Sequence, residues 1–560
     1  MTTQVPSIIR KILSVLNLHD DQEIDHFLFP RLERLPSPML MKGMKEAVEL
    51  FLEETGRESE IIVWGDYDVD GTTGTALLVN FFRELGIEPH WHIPNRLTDG
   101  YGLNSHTFNE IRSRLFPDKQ FLLITVDCGI SNFQEICDIL AIGGKAIVTD
   151  HHQLPIGELP GCITLNPNQE GCGFKDQKLA GVGVAFYFAA AIRSALEKDG
   201  YFKNGTKPNM KDYLGFVALG TIADLVEITA VNRILVRAGM ESLPNSGIPG
   251  LRALVESAGL QGQSIATEDI SFLLGPRINA AGRLGKADVA VQLMTSDNNI
   301  VGAKLSKQLE SFNEQRKKIC EQNLETALTE ISKRTDSKSY SIVVTGKFHV
   351  GIIGIVASRL VEMYGKPAIV FARSDSGNTT TLLKGSGRSI PGVNLLDCLH
   401  SCSTTILKYG GHAMAAGLTV EEGALGDFLS GFDRAVELQI LNTKHSQYLD
   451  SNVIECSMDE VMDKNALEYL QRLEPFGPEN EQPVFVDSLA SVVSCRAIGD
   501  SGRHLQLTLR GKYENYRGVA FGLGKMRNDI LQNPVRKISF TPMMNRFRGV
   551  VEWQLRVTDI

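Results

Sequence analysis

EIIVWGDYDVDG, residues 60–71, runs from an apolar stretch (61–64) straight into three aspartates at alternate positions, Asp66, Asp68 and Asp70. Outward from it the chain alternates. A helical pattern covers 75–85, FLLITV (121–126) and AIV (146–148) are further short apolar runs, and amphipathic segments lie between them. Short buried strands separated by helices indicate a parallel α/β sheet, whose sites form at the carboxyl ends of the strands. Three carboxylates this close repel one another, which water tolerates and a cleft does not. Hard divalent cations would offset the repulsion, since Mg²⁺ and Mn²⁺ favour oxygen ligands. Taken alone, the stretch fits an exposed Asp-rich turn as well as it fits a metal site.

The other strand ends shift that balance. VDCGI (126–130) places Asp127 just past the second run, and VTDHHQ (148–153) places Asp150, His151 and His152 past the third. Further on, ALGTIADLVEI (218–228) sets Asp224 in an otherwise apolar segment. One His pair is ordinary structure; four acidic or histidine clusters at successive element ends favour a two-metal site. Two ions about 3.5–4 Å apart can activate water and stabilise the leaving oxygen of a phosphoryl displacement. Neither GxSxG nor GxxxxGK[ST] occurs, which disfavours a serine hydrolase and a nucleotide-driven motor.

The 560 residues imply three or four domains, and 43% hydrophobic with 22% charged residues excludes wholesale disorder. Residues 1–45 read as a polar helical segment and 46–295 as the first α/β domain. Residues 296–335 lack Pro, and lack Gly beyond Gly302, with apolar residues on one face. They read as a connecting helix about 50 Å long, a spacer between domains. A second α/β region is expected over 336–441. Over 450–560, short alternating runs such as HLQLTLR and VVEWQLRV point to a small β-barrel of OB type. Net charge is −9, yet residues 501–560 hold eleven Lys/Arg against four Asp/Glu, a local +7 suited to a polyanion. Tyr513, Tyr516, Phe521, Phe540, Phe547 and Trp553 lie in the same module and could stack on bases or fill a core. Nine scattered cysteines without a CxxC pair read as free thiols of a reducing cytoplasm. No apolar run approaches the ~20 residues of a membrane span.

GDYDVDG, VDCGIS, TDHHQ and GTIADLVEI, in this order, resemble the DHH phosphoesterase superfamily. GPRINAAGRLG (275–285) narrows the resemblance to its RecJ branch of single-strand-specific 5′→3′ DNA exonucleases. GIIGIVASRL (351–360), GSGRS (385–389) and YGGHAMAAG (409–417) are similar to the DHH-associated domain, and EPFGPENEQPVF (474–485) to the entry of its OB-fold. The resemblance implies two divalent cations, Mn²⁺ or Mg²⁺. Asp68 and Asp70 would take one each, Asp127 would bridge them, and His151 and Asp224 would complete the ligands. His152 would face the scissile phosphate. Asp66 stands near a position where much of the superfamily has a histidine, and it could serve as a ligand or orient water. Asp150 would fix an imidazole. Arg277, Arg283, Ser386, Gly387, Arg388, Gly410, Gly411 and His412 are candidates for phosphate contact, with Arg96 for the 5′-phosphate; the alternative for Arg277 and Arg283 is an interdomain salt bridge.

By resemblance, the chain is expected to be a monomeric cytoplasmic hydrolase of single-stranded DNA in repair and recombination, releasing 5′-mononucleotides. Single-strand-binding protein and a RecQ-type helicase would be its partners. Two rivals remain. One is a relative acting on short RNA, cyclic dinucleotides or nucleotide bisphosphates, which generally lacks the C-terminal module. The other is a scaffold that has lost its ligands, whereas here every ligand motif is filled.

Overall fold

The structure is a computed structural model that describes residues 5–117, 119–155, 161–175, 177–333, 339–374, 381–442, 453–499, 502–547 and 550–560. The expected joins near 335 and over 443–450 lie outside the described residues.

The first sheet is all parallel. It comprises β1 (Glu60–Gly65), β2 (His90–His92), β3 (Phe121–Val126), β4 (Lys145–Thr149) and β5 (Ile163–Leu165), in the order β2-β1-β3-β4-β5. β1 and β3 are buried almost throughout, as a sheet covered on both faces requires. The Val69–Glu84 and Gly181–Lys198 helices pack against it in one large apolar core. Register is what matters for the site. Gly65 pairs with Val126 and Val126 with Thr149. The next residues, Asp66, Asp127 and Asp150, therefore leave three adjacent strands at one level.

The second sheet is mixed: β6 (Ile342–Gly346), β7 (Ala368–Ser374), β8 (Leu382–Arg388), β9 (Lys408–Gly411) and β10 (Ala415–Glu421), ordered β6-β7-β8-β10-β9. Only β6 and β7 run parallel. The long helix expected between the two α/β units spans Asn299–Ser332. It is more than a spacer, because its two halves are built into different cores. Leu309 is fully buried in the first unit, and Ala327 is fully buried among Val344, Val356 and Leu360 of the second.

The C-terminal strands are β11 (Val453–Glu455), β12 (Val484–Ile498), β13 (His504–Arg510), β14 (Asn515–Ala520), β15 (Val535–Phe547) and β16 (Val550–Asp559). β12 pairs with both β13 and β15, and β14 and β16 complete a ring of five. Bulges at Val492/Ser494 and Asp487/Ala490 bend β12 enough to serve both neighbours. Of the aromatic candidates, Tyr513 and Phe521 are exposed, whereas Tyr516 and Phe540 are core; the Phe547 side chain lies outside the described residues.

The expected separate N-terminal segment is instead divided: Met41 and Met44 are buried in the core of the first unit, and the helices up to Leu28 are part of this terminal module. Ile8, Ile9, Ile12 and Leu13 of the Ser7–Val15 helix, with Ile24 and Leu28 of the Asp21–Leu28 helix, share one core with Ile454, Leu470, Phe485 and Leu505. An amphipathic pair of short helices cannot bury its apolar stripe alone, and each such side chain gains roughly 1.5–3 kcal/mol by finding a partner surface. Arg233 joins the module to the first unit: its guanidinium donates to the carbonyls of Phe27 (2.9 Å), Leu473 (2.8 Å) and Arg472 (2.7 Å). Among the described residues no helix is long and apolar enough to cross a membrane.

Candidate metal centre

Each carboxylate is placed by an identifiable backbone feature. Asp68 is the N-cap of the Val69–Glu84 helix and accepts from the Gly71 amide at 3.1 Å. Gly71 is required there, because a Cβ would lie 2.5 Å from the Asp66 nitrogen. Asp70, in the first turn, is buried and accepts from the Gly181 and Val182 amides at 2.6 and 2.8 Å, the free N–H groups of the next long helix. Asp127 takes a left-handed conformation (φ 59°), which is strained for a residue with a side chain although less so for Asp than for most. Asp224 follows the end of the Leu214–Ala223 helix.

These groups converge. The His151 Nε2 lies 3.1 Å from Asp127 Oδ1, 3.4 Å from Asp224 Oδ2 and 3.7 Å from Asp70 Oδ2. Asp66, Asp68 and Asp127 form a second group able to hold an ion, and Asp127 adjoins both. Asp66 Oδ1, Asp127 Oδ1 and His151 Nε2 are buried without hydrogen-bond partners. Native interiors rarely leave such atoms unpaired. Burial first, and then mutual repulsion, raises the carboxyl pKa values of Asp70 to about 7 and Asp224 to about 9, with Asp66 and Asp127 also pushed up. Burial, aided by the neighbouring His152 and His412 charges, lowers His151 to about 4 and so keeps its ring neutral, the form that ligates metal. An all-oxygen-and-imidazole set with unpaired lone pairs and excess negative charge fits two divalent cations.

His152 sits differently. Its Nδ1 is 2.8 Å from Asp150 Oδ1, and Asp150 also accepts from the amides of His151, His152 and Ile130. Burial pulls His152 down, but the Asp150 hydrogen bond and the carboxylates around it prevail and raise it to about 9. Burial likewise pushes Asp150 up, and its bonds to His152 hold it low.

The basic candidates divide. Arg283 donates to the Gly351 carbonyl of the second unit at 3.3 Å, and its pKa is lowered to about 9 by burial and by the charges of Arg96, Arg388 and Arg316. Arg96 stacks over Tyr67, 4.9 Å from the ring centre. Ser386 and Arg388 gather at the start of the Ile353–Tyr364 helix, where a Cβ on Gly354 would meet both at 3.0 Å. His412 is exposed, with Gly410 and Gly411 preceding it at the end of β9. Two candidates point elsewhere. Arg277 pairs with Glu310 of the long helix at 2.5 Å and donates to the Leu273 carbonyl. Six helical residues from Arg283 turn it by about 240°, so both cannot face one site. Gly387 faces the core, where a Cβ would meet Leu395 at 2.9 Å, because side chains on a strand alternate.

Sequence reasoning missed five contributors. The Tyr101 hydroxyl donates to the Asp127 carbonyl at 3.1 Å and lies 3.2 Å from His152 Nδ1. Asn166 and Asn168 donate to the carbonyls of His152 and His151 at 2.9 and 2.7 Å. Gly181 and Val182 grip Asp70. The glycine-flanked Tyr101 and the small residues of AGVG (180–183) were the available signals.

Comparison with known proteins agrees with this architecture. The chain matches the DHH family N-terminal domain over residues 60–221, the DHHA1 domain over 337–438 and the RecJ OB domain over 454–559. It is 33% identical to the single-stranded-DNA-specific exonuclease RecJ of Escherichia coli (strain K12), covering 100% of this chain and 96% of that protein. To the Thermus thermophilus RecJ it is 31% identical over 98% of this chain and 76% of that one. The crystal structure of the Thermus thermophilus RecJ in complex with Mn²⁺ superposes with a TM-score of 0.77 at 28% identity, covering 99% of this chain and 78% of that one. Similarity that runs through all three domains and nearly the whole length of this chain and of the Escherichia coli protein places it in the RecJ family of DHH phosphoesterases.

Proposed function

We propose that this protein is a metal-dependent exodeoxyribonuclease that degrades single-stranded DNA from its 5′ end to 5′-mononucleotides, in repair and recombination. The observation that carries the reading is the convergence of Asp68, Asp70, Asp127, His151 and Asp224, from separate strand and helix ends, around unpaired buried lone pairs. The names of its curated relatives and the Mn²⁺ and Mg²⁺ in their structures support the substrate and the ions. When bound, two Mn²⁺ or Mg²⁺ ions supply the charge that activates water and stabilises a leaving oxygen. Asp70, His151 and Asp224 would hold one ion, Asp68 with Asp66 the other, and Asp127 would bridge.

With Nδ1 engaged by Asp150, His152 would turn Nε2 to the scissile phosphate, where an N–H would donate to a phosphate oxygen. Arg283, Arg388 and Ser386 are assigned to the phosphates next to the cut, with Gly411 and His412 beside them and Arg96 at the 5′ end. The basic terminal module would hold the continuing strand, with Tyr513 and Phe521 as stacking surfaces. Single-strand-binding protein and a RecQ-type helicase are proposed partners of a monomeric cytoplasmic enzyme.

The test compares wild type and Asp127→Asn with Mn²⁺ on end-labelled single-stranded and blunt duplex oligonucleotides. Mononucleotides should appear from the 5′ end of the single strand alone, with at least a thousandfold loss in the variant, roughly 4 kcal/mol of barrier. Cleavage of dinucleotides with the single strand left intact would instead favour a small-substrate phosphodiesterase, and binding without cleavage a scaffold.

A further inference from the structure

Two metal-facing carboxylates come from segments that no strand holds. Asp224 precedes a loop, 225–229, and Asp70 is gripped by amides that follow another loop, 177–180. Both loops carry backbone strain: Leu225 (φ 59°) and Lys178 (φ 45°) are left-handed without being glycine, as is Ala230 (φ 31°), the first residue of the helix after 225–229. Strained segments stay in place only where their surroundings over-determine them. One side chain meets both. Asn232, 1% exposed, donates from Nδ2 to the carbonyls of Glu227 (2.8 Å) and Lys178 (2.9 Å), with Gln177 at 3.4 Å. Glu227 is three residues beyond Asp224, and Lys178 is three residues before Gly181.

The helix bearing Asn232, Ala230–Ser242, is itself immobilised by the adjacent residue, since Arg233 is bound to three carbonyls of the terminal module. The same module holds the far end of the Asp224 loop. The Ile228 amide donates to the Pro478 carbonyl at 2.9 Å, and a Cβ on Gly477 would lie 2.6 Å from Ile228.

We propose that Asn232 is a positioning residue of the metal centre: by bonding the Asp224 loop to the Asp70-gripping loop, it sets the distance between the carboxylates of the two segments and hence the affinity for the cations. The inference rests on the metal reading above. Asn232 touches no reacting atom and acts only through the segments it ties. Shells of this kind commonly alter metal affinity ten- to a hundredfold.

The test is Mn²⁺ binding by calorimetric titration of the full-length protein, with the Mn²⁺-induced rise in Tm as a second readout. Wild type is compared with Asn232→Ala, Asn232→Ser and Leu254→Ala. Leu254 is a fully buried core residue of the same domain, outside the site, and controls for destabilisation alone. We expect Mn²⁺ to bind about tenfold more weakly to Asn232→Ala, with Asn232→Ser intermediate because a hydroxyl keeps one donor. Leu254→Ala should melt earlier yet bind Mn²⁺ as wild type does. If the alanine variant does not fold, the serine variant carries the comparison, with a threefold or greater loss expected. Wild-type affinity in the folded variants, or an equal loss in Leu254→Ala, overturns the positioning role. Failure of the wild type to bind Mn²⁺ at all overturns the metal reading on which it rests.

Discussion

Gly181 shows how little room the centre leaves. It opens a helix whose amide grips Asp70, and a Cβ there would lie 2.6 Å from the Asp127 Cβ and 2.9 Å from its Oδ1. Gly181→Ala must therefore displace the carboxylate proposed to bridge both ions, although alanine is the better helix former. The expected outcome is a ten- to hundredfold loss of Mn²⁺ affinity, read by titration, with little change in far-ultraviolet circular dichroism. Unchanged affinity would mean that Asp127 is not held by this contact. The ligand residue types were legible in sequence because carboxylate and imidazole clusters at strand ends have a chemical meaning by themselves. The residues that hold them, Tyr101, Asn166, Asn168 and Asn232, were not, since an amide or phenol looks alike on a surface and in a site.

At the scale of the element, the Asn299–Ser332 helix is a rigid link with an end in each α/β core, so bending it should move one set of arginines relative to the other. Gln315 is exposed near its middle. Proline there removes an intrahelical hydrogen bond, kinks the helix and costs about 3 kcal/mol. Gln315→Pro is expected to cut single-strand turnover at least tenfold relative to Gln315→Ala. Mn²⁺ affinity should be unaltered, because every proposed ligand lies in the first unit. Turnover and titration measured on the same preparations check this, and a parallel loss of Mn²⁺ binding would show that the kink propagates into the metal centre. The helix itself was readable from its 3.6-residue period. Its burial at both ends was not, because Leu309 and Ala327 resemble the residues of any amphipathic stripe.

Across the whole molecule, the chain closes on itself: the helices of the first thirty residues fill the core of the last hundred. Ile9 is fully buried in that shared core. Ile9→Ala should cost roughly 2–5 kcal/mol of the terminal module's stability. Hydrogen exchange should then speed up in β12 and β13 while β1 and β3 stay protected. Exchange confined to residues 5–28 would show instead that the N-terminal helices peel off without loosening the barrel. Arg233 extends the same arrangement, since it holds Phe27 from one end of the chain and Leu473 from the other.

The sequence by itself determined the parallel sheet, the metal-type ligands and the kind of terminal module, because each rests on local pattern: apolar runs of strand length, carboxylates at their ends, and short alternating strands. Only the tertiary structure decided which partners those patterns meet. It turned Arg277 to Glu310 and Gly387 to the core, through helical phase and strand alternation. It also sent the N-terminal helices to the far end of the chain, where an unsatisfied apolar face found its match. Contacts between residues hundreds of positions apart leave no local periodicity, so nothing in the order of residues could announce them.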